Sequence, residues 1–121
     1  MRYLFIVKAA QGPAPTPELM QAMHELAQRE ISAGRMLDDG GLAPPSAGCQ
    51  VTVQRGVLRV TDGPFTEAKE LIGGYAVFDL PGHAEALESA REFMQLHKDF
   101  MPDWEGTCEV RAIAGSLTHG G

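Results

Sequence analysis

The residue types that can move a proton or hold a charged ligand gather in a few short stretches of this chain. The densest opens with Asp62-Gly63-Pro64-Phe65 and runs through Lys69-Glu70 to Gly73-Gly74-Tyr75. It sets a carboxylate, an ammonium and a phenol beside paired glycines, whose bare backbone lets a ligand or another chain approach closely. The chemistry on offer is acid/base work and polar recognition. The residue before a proline is driven to extended geometry, so Gly63-Pro64 has few conformations. Asp62 can accept N–H groups from the backbone just downstream, as in an Asx turn. That favours its charged form and suits an anchor better than a proton donor. Two roles stay open for Asp62: a lock on the turn, with Phe65 as its core plug, or a direct ligand or acid/base group.

The histidines are the next candidates, because imidazole titrates near neutral pH and is the commonest general base. His97 falls on an apolar helical stripe with Ala90, Phe93 and Met94, and His24 at the edge of an earlier stripe. Either can equally be a hydrogen-bonded core residue. Asp62, His97 and His24 are therefore the catalytic candidates. Lys69 and Glu70 form a pocket rim or a solvated turn capped by Thr66. Tyr75 is an orienting phenol or a core filler with one hydrogen bond. Arg111 can grip a carboxylate bidentately, that of Glu109 or of an acidic ligand. Trp104 suits an interface or a pocket mouth. His83 and His119 have no assigned role. No His/Cys spacing matches a metal signature, and no cofactor is expected.

These side chains need elements to position them. Tyr3 to Val7 reads as a strand. Thr16-Pro17-Glu18 begins a helix, with a capping hydroxyl, proline at the first turn and an acid at the positive end of the dipole. Leu19, Met20, Met23, Leu26, Ala27 and Ile31 form its inward side, and Gly34 stops it. Arg35 to Asp38 is a short strand leading into Asp39-Gly40-Gly41. Val51 to Val53 and Val57 to Val60 flank Gln54-Arg55-Gly56 as a hairpin. Ile72 to Leu80 is a strand, Ala84 to about Phe100 a helix with Ala86, Leu87, Ala90, Phe93 and Met94 inward, and Thr107 to Ile113 a last strand. Residues 1–115 make one domain and 116–121 a frayed tail.

This order is an α+β, ferredoxin-like βαββαβ sandwich with an inserted β-hairpin. Two helices cover one face of its sheet. The strands are apolar on both faces: Leu4 and Ile6 oppose Tyr3, Phe5 and Val7, and Tyr75 and Val77 oppose Ala76, Phe78 and Leu80. At about 25 cal/mol per Å² of apolar surface, the open face favours a second copy packed against it in a two-fold homodimer.

Composition narrows the classes. The chain has 121 residues, of which 44% are apolar, enough for one cored domain. A net charge of −6 argues against nucleic acid, whose binding needs a basic surface. Cys49 and Cys108 lie far apart with no C-x-x-C, which argues against a disulfide framework or a structural zinc site. No apolar run is long enough for a signal peptide or a membrane span, so a cytoplasmic protein is expected.

Several of these segments together resemble the DGPF-motif branch of the YCII-related family. They are Asp62-Gly63-Pro64-Phe65, Lys69-Glu70, Gly73-Gly74-Tyr75, Gly34 with Gly40-Gly41-Leu42, and Trp104-Glu105-Gly106 with Glu109-Val110-Arg111. The resemblance implies a dimeric α+β barrel. It implies little about chemistry, beyond an enzymatic role proposed for the wider family around a histidine and an aspartate near the first helix and second strand. His24 stands near that histidine, and Asp38 or Asp39 can supply the acid. Some relatives are encoded beside, or joined to, extracytoplasmic-function sigma factors. The expectation is a small-molecule pocket between the helices and the sheet, beside the Asp62 turn, with cofactor-free acid/base chemistry if the protein is an enzyme. The alternative is a non-catalytic regulatory module that contacts a sigma factor.

Overall fold

The computed structural model describes residues 1–10, 12–63 and 70–118. Its elements are β1 (Arg2–Ala9), α1 (Pro17–Ser32), β2 (Met36–Gly41), β3 (Cys49–Gln54), β4 (Val57–Asp62), β5 (Leu71–Asp79), α2 (His83–Phe100) and β6 (Gly106–Ala112). Four strands form one sheet in the order β2-β5-β1-β6, with every neighbouring pair antiparallel. This is the expected α+β ferredoxin-like arrangement. β3 and β4 stand apart as a two-stranded hairpin between β2 and β5.

Register decides which side chains meet. Tyr3 aligns with Phe78 and Ala112, and Phe5 with Ala76 and Val110. These rows face the helices. Tyr3, Phe5, Phe78 and Leu80 pack with Ala86 and Ala90 of α2 as the buried core, and the Phe5 and Phe78 rings stack at 4.6 Å. The alternate rows, with Leu4, Ile6, Val77 and Tyr75, occupy the opposite face, as side-chain alternation requires.

α1 begins and ends as its sequence dictates. The Thr16 hydroxyl accepts the Leu19 N–H at 3.2 Å. At the other end Gly34 adopts φ 75°. The Gly34 N–H then donates to Ile31 at 3.0 Å and the Arg35 N–H to Glu30 at 2.9 Å, a Schellman motif. The inward side is narrower than the apolar pattern suggests. Leu19 is fully buried, whereas Met20 and Ile31 are 53% and 48% exposed. α1 leans on α2 and β2 and leaves space over the sheet. On α2, Leu87 likewise stays outside while Ala86 and Ala90 are buried.

β2 runs on through Asp39-Gly40-Gly41, which the sequence places after the strand. Gly40 aligns with Tyr75 and Gly41 with Gly74, so pairing with β5 continues, and the Tyr75 ring lies over Gly40. A Cβ on Gly40 would sit 2.8 Å from that ring, so glycine is needed there. An irregularity between Met36 and Asp38 shifts the register, and Asp39 pairs with Ala76 on the helix side of the sheet.

The hairpin turns at Arg55 (φ 51°) and Gly56 (φ 76°), the left-handed pair of a type I′ turn. Val51 pairs with Val60 and Val53 with Leu58, so most of one face is aliphatic, with the Cys49–Asp62 pair at its base, and all four aliphatic residues are exposed. Asp62 is the last residue of β4, paired with Cys49, and not the head of a free turn. The next residue is fixed: the Gly63 N–H donates to Gly48 at 2.8 Å, and a Cβ on Gly63 would strike the Pro45 carbonyl. Pro64, Phe65, Thr66, Lys69 and His119 lie outside the described residues. Among the described residues no helix is long and apolar enough to cross a membrane.

Candidate functional site

The space between α1 and the helix side of the sheet is a cavity of about 540 Å³. Phe5 and Val7 of β1 and Ala76 and Phe78 of β5 form its sheet wall. Leu19, Met20, Met23, Leu26 and Ala27 of α1 form its roof. Phe93, His97, Met101 and Trp104 close it on the α2 side, and Cys108 lies on β6. Burial raises the Cys108 thiol above its ordinary value. The backbones of Gly40, Gly41, Gly73 and Gly74 border the cavity on the β2–β5 side. Gly74 serves strand pairing as well, since a Cβ there would lie 2.9 Å from the Gly40 carbonyl.

His97 is the most enclosed polar side chain of this wall after Glu30, at 6% exposure. Its Nδ1 lies 3.0 Å from the Phe93 carbonyl. A carbonyl only accepts, so this bond puts a proton on Nδ1, and in the neutral imidazole the lone pair is on Nε2. Nε2 has no hydrogen-bond partner among the described residues. The imidazole is held between two rings, Trp104 at 4.5 Å and Phe93 at 4.7 Å. Trp104 is seated in turn by Gly106, where a Cβ would collide with the indole and with the Lys8 carbonyl.

The charges around the cavity are carboxylates: Glu30, Asp39 and Glu92. Glu30 is 4% exposed. Arg35 grips it through Nε at 3.1 and 3.2 Å and also through Nη2, and Arg29 adds a contact at 3.4 Å. The Arg35 hydrogen bond holds the Glu30 carboxyl below the usual range against the opposing effect of burial. Glu92 pairs with Arg29 at 2.5 Å, joining α1 to α2. The Asp39 carboxylate has no ion-pair partner among the described residues. No lysine or arginine lines the cavity among those residues.

The structure thus brings together His24, Asp39, His97, Trp104, Gly73, Gly74 and Tyr75 at one cavity. It also separates the two acids that the sequence leaves open. Asp39 is on the cavity side, and Asp38, paired with Val77, is on the other. Asp62 is not among the lining residues. It closes the base of the hairpin, and the turn that follows Gly63 lies outside the described residues. Glu70 is exposed ahead of β5 and does not border the cavity. Arg111 lies on the open sheet face. There Glu109 accepts from Lys8 at 2.9 Å and from Arg111 at 2.5 Å, and these bonds hold its carboxyl below the ordinary value. Tyr75 borders the cavity from the same strand, but its ring covers Gly40.

Glu30 is the feature that residue-type reasoning passes over, and the choice of Asp39 over Asp38 is the one it leaves open. A signal for Glu30 exists: it continues the Leu19, Met23, Leu26 spacing onto the buried side of α1. Asp39 depends on the register shift in β2, which leaves no mark in the sequence.

The chain is similar to proteins whose chemistry is unassigned. An uncharacterised protein of Rhizobium meliloti (strain 1021) is 27% identical over 108 residues, covering 89% of this chain and 83% of that protein. The family model described as the YCII-related domain matches residues 1–99. With that match spanning three of the four sheet strands, α1 and nearly all of α2, the chain belongs to the YCII-related family.

Proposed function

We propose that this chain is a small-molecule-binding protein that works as a homodimer, with its ligand in the cavity between α1 and the sheet. The observation that carries the reading is the cavity itself. Its volume of about 540 Å³ falls in the range of small-molecule sites, and its apolar walls carry a few convergent polar groups. His24 and His97 are the groups that can exchange a proton with a bound molecule, and the Asp39 carboxylate can balance the charge that results. This supports acid/base chemistry carried by the chain's own side chains. The dimer follows from the open sheet face, where no helix covers Leu4, Ile6 and Val77. A fragment screen read by thermal shift tests the pocket, since ligands selective for the native state raise the melting point. Hits that stabilise the wild type and fail with Ala27→Phe, which fills the cavity, support it. Hits indifferent to Ala27→Phe contradict it.

A second reading has its own observation. The aliphatic face of the β3–β4 hairpin, Val51, Val53, Leu58 and Val60, is 65–72% exposed. Such a patch suits a protein partner, and the family resemblance suggests an extracytoplasmic-function sigma factor. Calorimetry with such a factor, using Val53→Ser with Val60→Ser as the control, tests it. Equal heats from wild type and variant would remove this reading.

A further inference from the structure

We infer that the ligand of this cavity is an uncharged, mainly apolar molecule that donates one O–H or N–H hydrogen bond to Nε2 of His97. The inference rests on the pocket reading above and sharpens it to a ligand class.

The first ground is the fixed polarity of His97. Its Nδ1 proton is committed to the Phe93 carbonyl at 3.0 Å, so what the ring offers the cavity is an acceptor. The ring is more than nine-tenths buried and packs against Phe93 and Trp104, and turning it over to present Nδ1 would break the bond to the Phe93 carbonyl. Nε2 has no protein partner and stays within reach of solvent, since no buried side-chain nitrogen or oxygen is left unsatisfied among the described residues. A purely apolar ligand would strip solvent from Nε2 and leave it unpaired, whereas a ligand donor replaces the lost bond.

The second ground is charge. The lining carboxylates include Asp39, which lacks a cationic partner among the described residues, and no described lysine or arginine faces the cavity. An anionic ligand would find no cation in the described lining and would face the unpaired Asp39 carboxylate at its exposed rim. The third ground is the wall around His97. Phe93 and Trp104 offer ring faces and Met101 an adaptable thioether, which accept a flat or cyclic apolar body.

Three probes of nearly equal size separate the cases: benzyl alcohol, ethylbenzene, which replaces the hydroxyl by a methyl, and benzoate. Trp104 is the single tryptophan of the chain and borders the cavity, so its fluorescence reports occupancy. The expected result is a preference for benzyl alcohol over ethylbenzene that falls on the order of tenfold in His97→Phe, with benzoate the weakest ligand of the wild type. If the preference is the same in both proteins, or benzoate binds best, the inference is overturned while the pocket stands. If none of the three binds the wild type, the pocket reading fails and takes the inference with it. Should His97→Phe not fold, ¹⁵N spectra of the wild-type imidazole decide. Nε2 should shift with benzyl alcohol and stay unmoved with ethylbenzene. An Nε2 resonance indifferent to benzyl alcohol that binds overturns the inference.

Discussion

The His97 imidazole lies 4.5 Å from the Trp104 indole, centroid to centroid, tilted by 37°. The contact depends on a third residue that touches no ligand. Gly106 leaves room for the indole to lie against the start of β6, and any Cβ there would strike the ring. Gly106→Ala should therefore displace Trp104, shift its emission to the red and weaken cavity ligands several-fold. The expected cost in stability is about 1–3 kcal/mol, the usual range for overpacking. Emission and urea midpoint both unchanged would show that Trp104 is not seated as described.

Glu30 gives a pH signature. Its folded-state value is depressed below the ordinary 4.5 by hydrogen bonding to Arg35. The associated stability is fully present above the unfolded-state value and is lost as pH falls through the folded one. The urea midpoint of the wild type should drop on acidification below about pH 4.5, and Glu30→Gln should flatten that part of the profile. At neutral pH the variant should lose about 1–2 kcal/mol. This is less than for a fully buried pair, because Arg35 is 44% exposed and water screens it. A wild-type profile reproduced by Glu30→Gln would contradict the assignment.

The two thiols should react at different rates. Cys49 is exposed, whereas Cys108 is partly buried and its thiol raised by burial. Thiolate is the reactive form, so Ellman's reagent should modify Cys49 first and Cys108 at least tenfold more slowly. Because Cys108 borders the cavity, a bound ligand should slow it further and leave Cys49 unaffected. Equal rates would argue that the cavity wall is open.

Sedimentation velocity tests the paired sheets. The wild type should run at twice the chain's mass at micromolar concentration. Leu4→Asp with Ile6→Asp, on the face away from the helices, should give folded single chains with affinity weakened at least a hundredfold. A wild type that is monomeric throughout would end the dimer proposal.

The fold is legible in the sequence wherever local chemistry and pattern agree. Thr16 and Gly34 bound α1, Arg55-Gly56 turns the hairpin, and the apolar strands give the sheet. His97 on its stripe is legible too, because helical spacing puts it beside Phe93. The position of Asp62 is not. Whether such a carboxylate enters a pocket depends on where the hairpin points, which is set by the contact of Gly63 with Pro45, far from any local pattern. The same holds for Arg111, which alternation alone places on one of two equivalent faces. Met20 and Ile31 mislead because periodicity shows which side of α1 is apolar but not how far the helix stands from the sheet.

The most direct test of the cavity uses the six methionines. Met20, Met23, Met36 and Met101 border it, and Met1 and Met94 do not. Methyl-labelled methionine spectra during a titration with benzyl alcohol should show saturable shifts in those four signals and none in the other two. A titration in which the four stay fixed up to millimolar ligand, or in which Met1 and Met94 move as much, would contradict a ligand site between α1 and the sheet.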